Sequence, residues 1–231
     1  MPTILITGAN RGLGLEWTRQ CLEAGWRVIA TCRHPESAEH LRQVVAGHPQ
    51  AVIHRLDVTD VQDLASLRME LETEPIDVLL NNAGVYLDKS DPGLGGLHFE
   101  AWQPSFAVNT LGPARVTETF LDNLARGRRK LVVAITSHMG AIAEIESPGA
   151  YAYRASKSAL NAVMKGMSLE LKDRGVGVLL LHPGWVRTRM GGPEGRLRAS
   201  ESVAGMLALV DSFSLRQTGR FLRYDSTVIP W

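Results

Sequence analysis

The stretch "YAYRASKSALNA", residues 151–162, carries two tyrosines and a lysine. On a helix, residues four apart share a face, so Tyr153 has Lys157 as its neighbour, whereas Tyr151 sits above Ala155. Only one of the two phenols is paired with a cation. A free phenol titrates near pH ~10, so at neutral pH it is a poor base, although it can act as an acid. An ammonium one helical turn away favours the phenolate, and each tenfold change in the proton equilibrium corresponds to about 1.4 kcal/mol between the protonation states. The pair suits a proton donor or acceptor at Tyr153, with Tyr151 as a built-in control, but such spacing also arises where tyrosines only fill space, so its meaning depends on the rest of the chain.

A second feature with chemical meaning is the turn "TGANRGLGLEWTRQCLEAG", in which Gly8, Gly12 and Gly14 precede an amphipathic helix. Glycines there let the backbone approach a pyrophosphate, whose charge meets the amides and positive dipole end of the helix. The spacing G-x-x-x-G-x-G differs from the commoner dinucleotide fingerprint, and no Lys-Ser or Lys-Thr follows as a P-loop would require. At the end of the second apolar run, an acidic residue would hold the ribose hydroxyls of NAD. Here that end reads "ATCRH", with Cys32 and Arg33 and no acid. Arg11 lies in the glycine loop as well. Two guanidiniums near one ribose suit a 2′-phosphate, because arginine forks match phosphate oxygens and stay charged. A preference for NADP over NAD is expected.

These residues need a scaffold, and the chain supplies one in alternating segments. Short aliphatic runs recur at 3–7, 27–31, 51–55, 77–81, 130–136 and 176–182, with helical stretches between them and a seventh run at 219–224. Runs apolar on both faces suit a parallel sheet covered by helices on both sides. With right-handed crossovers this predicts an α/β, Rossmann-type, doubly wound sheet in the order 3-2-1-4-5-6-7. Residues 1–231 read as a single dinucleotide-binding catalytic domain. Two segments rich in glycine, proline and charge, 87–96 and 183–196, follow strands that end at the carboxyl edge, where open α/β folds bind ligands. They are expected to act as substrate lids, the second near 185–198.

Charge and composition narrow the partners. Lys plus Arg is 25 against 24 for Asp plus Glu, and the one basic cluster, "RGRRK" at 126–130, reads as a solvated helix end, so no nucleic-acid footprint is expected. Cys21 and Cys32 read as free thiols and cannot make a metal site. The strand that begins almost at once leaves no room for a secretory leader, and no apolar run approaches the roughly 18 residues of a membrane span. A cytoplasmic, soluble protein is expected.

The motifs "TGANRGLG", "DV" at 57–58, "NNAG" at 81–84, Asn109 in "FAVNTLGP", Ser137 in "AITSHMG", Tyr153 with Lys157, and "HPGWVRT" at 182–188 occur in one order. In that order they resemble the short-chain dehydrogenase/reductase family over nearly the whole chain. The stretches "LHPGWVRTRMGGPEG" and "YDSTVIPW" are similar to its C-factor and sniffer-like carbonyl reductase subgroup. The usual "YDG" is "YDS" here, and Ser226 in place of glycine is expected to bear on the C-terminal turn rather than on activity.

The resemblance implies hydride transfer between NADP(H) and a small carbonyl or alcohol substrate. Its catalytic set would be Asn109, Ser137, Tyr153 and Lys157. Tyr153 would deliver the proton while Ser137, at the end of the fifth strand, holds the substrate oxygen. Lys157 would also bind the nicotinamide ribose, and Asn109, at a helix kink before Gly112 and Pro113, would hold a water linking Lys157 to solvent. His138, as the neighbour of a strand-end residue, would point the other way. The cofactor would lie on Gly8, Asn10, Arg11, Gly12, Leu13 and Gly14, with Arg33 at its phosphate and Asp57 and Val58 at its adenine. Asn81 would steady the central strands, while Ala83 and Gly84 leave room for the adenosine ribose. Pro183, Gly184, Val186 and Thr188 would cover the nicotinamide. Trp185, Met190 and Tyr86 either line an apolar pocket or pack elsewhere. Two long helices, roughly 100–126 and 150–174, would pair between subunits in a homodimer or homotetramer. A second reading keeps NADP binding but makes occupancy the output, as in a C-factor-type signalling or sensor protein with little turnover.

Overall fold

A computed structural model describes residues 1–231. Seven strands, β1 (Thr3–Thr7), β2 (Arg27–Cys32), β3 (Ala51–Arg55), β4 (Val78–Asn81), β5 (Leu131–Ile135), β6 (Gly177–His182) and β7 (Arg220–Arg223), form one sheet in the order 3-2-1-4-5-6-7. Every pairing is parallel. The carboxyl ends therefore lie along one edge, and the order reverses between β1 and β4, where a crevice opens.

The aliphatic runs become strands because both of their faces are covered. Ile4 and Ile6 point into one core with Trp17 and Cys21 of α1 (Gly12–Glu23), Leu41 of α2 (Glu39–Val45), and Val203 and Met206 of α8 (Ala199–Asp211). Leu5 points the other way. It meets Leu64 and Leu67 of α3 (Val61–Glu70), Val116 of α5 (Gly112–Thr119), Leu124 of α6 (Leu121–Arg126), and Leu160 and Met164 of α7 (Tyr151–Lys172). Each such aliphatic side chain contributes roughly 1.5–3 kcal/mol when fully buried. Burial also pushes both free thiols up, Cys21 to about 12.

The helix expected over 100–126 is broken. Helix α4 (Trp102–Phe106) runs into a π-helical turn over Ala107–Leu111 before α5 and α6 continue. Pro113 has no N–H to give the Asn109 carbonyl, its partner four residues back, so regular α-helical bonding cannot pass this point. The basic run at 126–130 is a tied turn at the end of α6. Asp77 Oδ1 accepts from the Arg128 and Arg129 amides at 2.7 and 3.1 Å, and the Arg129 guanidinium lies 4.8 Å from the centre of the Trp26 ring.

Candidate active site

Helix α7 and the loop after β5 bring Tyr153, Lys157 and Ser137 together. The loop is fastened to α7 by polar side chains: Ser158 Oγ and Asn161 Nδ2 donate to the Gly140 carbonyl at 3.0 and 3.1 Å, and Thr136 Oγ1 donates to Asn161 Oδ1 at 2.6 Å. Ser137 is buried, and its Oγ accepts from the Met139 amide at 3.1 Å, which leaves its own proton free to donate. Tyr153 and Lys157 are buried on the same face of α7. Tyr151 instead borders a separate cavity of about 290 Å³ with Trp102, Ile145 and Arg154.

The electrostatics differ from what the lysine spacing alone predicts. Burial pushes the Tyr153 phenol up to about 12; the Ser137 hydroxyl offsets part of this, while Tyr86 and Asp88 add to it. Lys157 is itself pushed down to about 8 by burial, and its Nζ donates to the Ile135 carbonyl at 2.9 Å. In the chain alone the phenol is an acid that keeps its proton, not a poised phenolate. Beside Ser137, the His138 ring packs 4.8 Å from that of His182. Burial holds His138 below its ordinary value and takes His182 down to about 3, so both are neutral at pH 7.

Asn109 lies in the π-helical turn with no exposed surface. Its side chain is fully engaged. Nδ2 donates to the Val85 carbonyl at 2.9 Å and to Ser156 Oγ at 3.0 Å, and Oδ1 accepts from the Val85 amide at 2.9 Å. Ser156 Oγ donates in turn to the Tyr153 carbonyl at 2.8 Å. The helix kink is thereby tied to the turn of α7 that bears Tyr153. Gly84 fits between these groups: a Cβ there would lie 3.3 Å from Asn109 Oδ1 and 3.8 Å from Lys157 Nζ.

At the crevice the glycine turn ends in α1, whose Ncap residue Arg11 offers no side-chain cap, so the first amides of the helix face outward. Gly14 is required by packing, since a Cβ would stand 2.3 Å from the Gly8 carbonyl oxygen. Leu13 packs against the core, whereas Asn10, Arg11 and Arg33 are exposed around the turn and the end of β2. Burial tends to raise the Asp57 carboxyl, but hydrogen bonds from Thr59 and the charge of Arg33 outweigh it and hold Asp57 below its usual range. Val58 is buried nearby, against the edge of α5 at Gly112.

The two asparagines of "NNAG" divide the work differently from expectation. Asn81 Nδ2 donates to Thr117 Oγ1 on α5 at 3.0 Å, and its buried Oδ1 has no partner. Asn82 is the residue that joins the central strands: Nδ2 donates to the Thr7 and Gly8 carbonyls at 2.9 and 3.1 Å. Thr7 Oγ1 accepts from the amides of Asn82 and Ala83. Alternation along the strand explains the exchange, because the last strand residue faces a helix and the next one turns toward β1.

Beyond β6, the Pro183 carbonyl accepts from Ser202 Oγ at 2.6 Å, and Val186 is buried in an isolated bridge with Leu197. Gly184 takes a φ of 79° close to Leu197 and Tyr224. Thr188 lies across the crevice from the glycine turn, with a Cβ on Gly12 falling 3.7 Å from its Cγ2. Trp185 and Met190 are exposed, the indole donating to the Gly191 carbonyl, and Lys89 Nζ donates to the Met190 carbonyl at 3.2 Å. The segments 87–96 and 185–198 therefore touch. Of the three apolar residues considered for a pocket, Tyr86 reaches the phenol, its ring stacked on Tyr153 at 4.3 Å.

Sequence reasoning missed Asp88. It is buried and accepts from the amides of Ala152 at 2.7 Å and Tyr153 at 3.2 Å, capping α7 from a distant loop. The only signal was negative: "SPGAY" puts no Ser, Thr, Asp or Asn immediately before the helix, so its cap had to come from elsewhere.

This arrangement can hold a nucleotide at the start of α1 and present a buried phenol to a second ligand at the same sheet edge. The short chain dehydrogenase family model matches residues 2–197. The C-signal protein of Myxococcus xanthus is 45% identical over 159 residues, covering 69% of this chain and 95% of that protein. Among solved structures, the NADPH-bound carbonyl reductase from chicken fatty liver has a TM-score of 0.91 at 30% identity, covering 100% of this chain and 99% of that one. Carbonyl reductase Sniffer of D. melanogaster has a TM-score of 0.91 at 28% identity, with both chains covered in full. The crevice, the Ser137–Tyr153–Lys157 cluster and these likenesses converge, and the chain belongs to the short-chain dehydrogenase family, with a carbonyl reductase and C-factor-like relationship.

Proposed function

We propose that this protein is an NADP(H)-dependent oxidoreductase that interconverts a small carbonyl compound and its alcohol, with Tyr153 as the proton donor and acceptor. The observation that carries this reading is a buried phenol, pushed up to about 12, beside the free hydroxyl of Ser137 at the edge where the glycine turn opens. The NADPH-bound state of the chicken carbonyl reductase supports the choice of cofactor. Gly8, Asn10, Arg11, Gly12, Leu13 and Gly14 hold the pyrophosphate, Arg33 with Arg11 the 2′-phosphate, and Asp57 and Val58 the adenine. Asn81, whose buried Oδ1 has no partner, lies with Ala83 and Gly84 along the adenosine side. Pro183, Gly184, Val186 and Thr188 form the nicotinamide side, and Lys157 orients its ribose. The bound cofactor supplies the hydride.

The chain supplies position and protons. Ser137 donates to the substrate oxygen and stabilises charge that develops there, while Tyr153 delivers the proton. Lys157 replaces that proton, and a water on the Asn109 carbonyl connects it to solvent, because the Asn109 side chain is already engaged. The contacting segments 87–96 and 185–198 close over the crevice and exclude water. Exposed Leu111 and Leu169, beside and on the two long helical segments, support pairing of this face in a homodimer or homotetramer.

The test is a panel of ketones, aldehydes and quinones with NADPH and NADH, following loss of the reduced nicotinamide absorbance. Oxidation of NADPH by at least one carbonyl is expected. The 45% identity to C-signal favours one second reading, a nucleotide-occupied signalling protein. Tight NADPH binding with no oxidation across the panel would support that reading instead.

A further inference from the structure

Residues 85–89 form a strap that touches four parts of the candidate site. The backbone of Val85 exchanges two hydrogen bonds with Asn109, and the Tyr86 ring stacks on Tyr153 at 4.3 Å with 19° between planes. Asp88 receives the Ala152 and Tyr153 amides, and Lys89 reaches the Met190 carbonyl of the other lid segment. Kink, phenol, helix start and lid are thus joined by five consecutive residues.

The position of Asp88 calls for a reason beyond capping. A helix is ordinarily capped by the residue that precedes it, and here that residue is Ala150, with φ 53° and no acceptor side chain. The acceptor comes instead from 64 residues away. It is a carboxylate with 1% of its surface exposed and no salt bridge. Burying a charge against amides alone is costly, and the left-handed backbone at Ala150 does not suit the usual cap from the preceding residue. What the distant carboxylate adds is a fixed link between the strap and the residue that bears the phenol.

We propose that Asp88 and Tyr86 are positioning residues for Tyr153, which hold the phenol in place against the substrate and make the strap and the proton donor move as one. This rests on the reading of Tyr153 as the proton donor. The groups that face the phenol are Ser137 from the loop after β5, Lys157 from its own helix, and Tyr86 and Asp88 from the strap, with Arg154 acting on Tyr86. The strap is the only one of these sources that brings a negative charge. Removing that charge makes Tyr153 a stronger acid, so a reduction that needs the protonated phenol loses rate at a lower pH.

The test uses the full chain with Asp88→Asn, which keeps an acceptor and removes the charge, Asp88→Ala, which removes both, and Tyr86→Leu, which removes the stacked ring. The first readout needs no turnover: ring-carbon NMR of labelled tyrosine, with Tyr153→Phe identifying the resonance. In Asp88→Asn the Tyr153 signal should begin to move at a lower pH than in the wild type. The second readout separates kcat from KM and from NADPH affinity, on any substrate found in the carbonyl panel. Asp88→Ala and Tyr86→Leu should each lower kcat about tenfold or more at unchanged NADPH affinity. Asp88→Asn should recover most of kcat at pH 7 but lose it earlier at alkaline pH. A folded Asp88→Asn whose Tyr153 signal moves at the wild-type pH overturns the proposal, as does a folded Asp88→Ala with wild-type kcat. If Asp88→Ala fails to fold, the titration of Asp88→Asn decides. Absence of turnover in the wild type would count against the reductase reading alone, since the resonance shift is measured without substrate.

Discussion

Lys157 gives its ammonium to the main chain: Nζ donates to the Ile135 carbonyl at 2.9 Å, while the centre of the Tyr153 ring lies 6.0 Å away. The spacing of the two residues predicts an ion-pair-like partnership, but the buried lysine binds the end of β5 and is pushed down to about 8. It lies close to Gly84, where a Cβ would stand 3.8 Å from Nζ.

This placement has a consequence for stability. Below about pH 8 Lys157 is charged in both the folded and unfolded chain, and the folded state bears the full cost of desolvating it. Above that pH the folded lysine is neutral while the unfolded one, near 10.5, still binds its proton, so unfolding takes up a proton and stability rises with pH. Tyr153 acts oppositely above its unfolded value of 10.0, where the unfolded phenol ionises and the folded one does not. Lys157→Met should therefore be inactive yet more stable at pH 7 by about 1 kcal/mol or more, as removal of a strained functional group often is. Urea unfolding at pH 7, 8, 9 and 10 checks both points: the wild type should gain stability from pH 8 to 10, and the variant should not.

Tyr153 and Tyr151 provide a matched pair of substitutions. Tyr153→Phe removes the proposed proton donor and should lower kcat by about 10²–10⁴-fold while NADPH affinity stays within about threefold. Tyr151 borders the cavity with Trp102 and Arg154 instead, and Tyr151→Phe should keep most activity. Because the Tyr153 phenol stands near 12, reduction by the wild type should show no alkaline loss attributable to this group below pH ~10. Steady-state kinetics from pH 6 to 10 with fluorescence titration of NADPH decides, and similar losses in the two variants would refute the assignment.

The sheet was legible because its information is local. Runs such as 3–7 and 51–55 coincide with β1 and β3 to the residue, since aliphatic stretches between helices leave little choice of element. The shared face of Tyr153 and Lys157 was legible for the same reason, since helical spacing lies within a few residues of chain. What escaped was long-range. Nothing near Asp88 announces that it caps a helix 64 residues on, and nothing in "NN" says that Asn82 rather than Asn81 joins β1 to β4. The depression of Lys157 arises from burial by the whole fold, which helical spacing alone could not supply.

Cofactor choice should follow Arg33. Its exposed guanidinium at the end of β2 meets no acidic residue that would hold ribose hydroxyls, and its charge reaches Asp57, proposed to lie at the adenine. A charge-assisted bond to a phosphate is worth about 1.5–3 kcal/mol, or roughly 10–100-fold. Arg33→Asp should lower kcat/KM for NADPH by at least that factor while leaving NADH equal or improved. Kinetics with both cofactors at one fixed ionic strength tests it, and an unchanged ratio between them would exclude Arg33 from the phosphate site.

Ser226, expected from the resemblance to replace a glycine, has a backbone that would suit one: its φ is 73°, in the left-handed region. The turn is real, with the Ser226 amide donating to the Arg223 carbonyl at 3.0 Å and the Thr227 amide to Asp225 Oδ1 at 3.1 Å. A Cβ in that conformation costs roughly 1 kcal/mol, which glycine does not incur. Part of the gain is returned, because glycine also makes the unfolded chain more flexible. Ser226→Gly should therefore raise stability by about 0.5 kcal/mol, a net of these two effects. Neither hydrogen bond of the turn involves a residue proposed for the site, so kcat and both Michaelis constants should change little. Urea midpoints with an unchanged slope would show the gain, whereas a loss of stability would mean that the serine side chain supports the turn more than its backbone strains it.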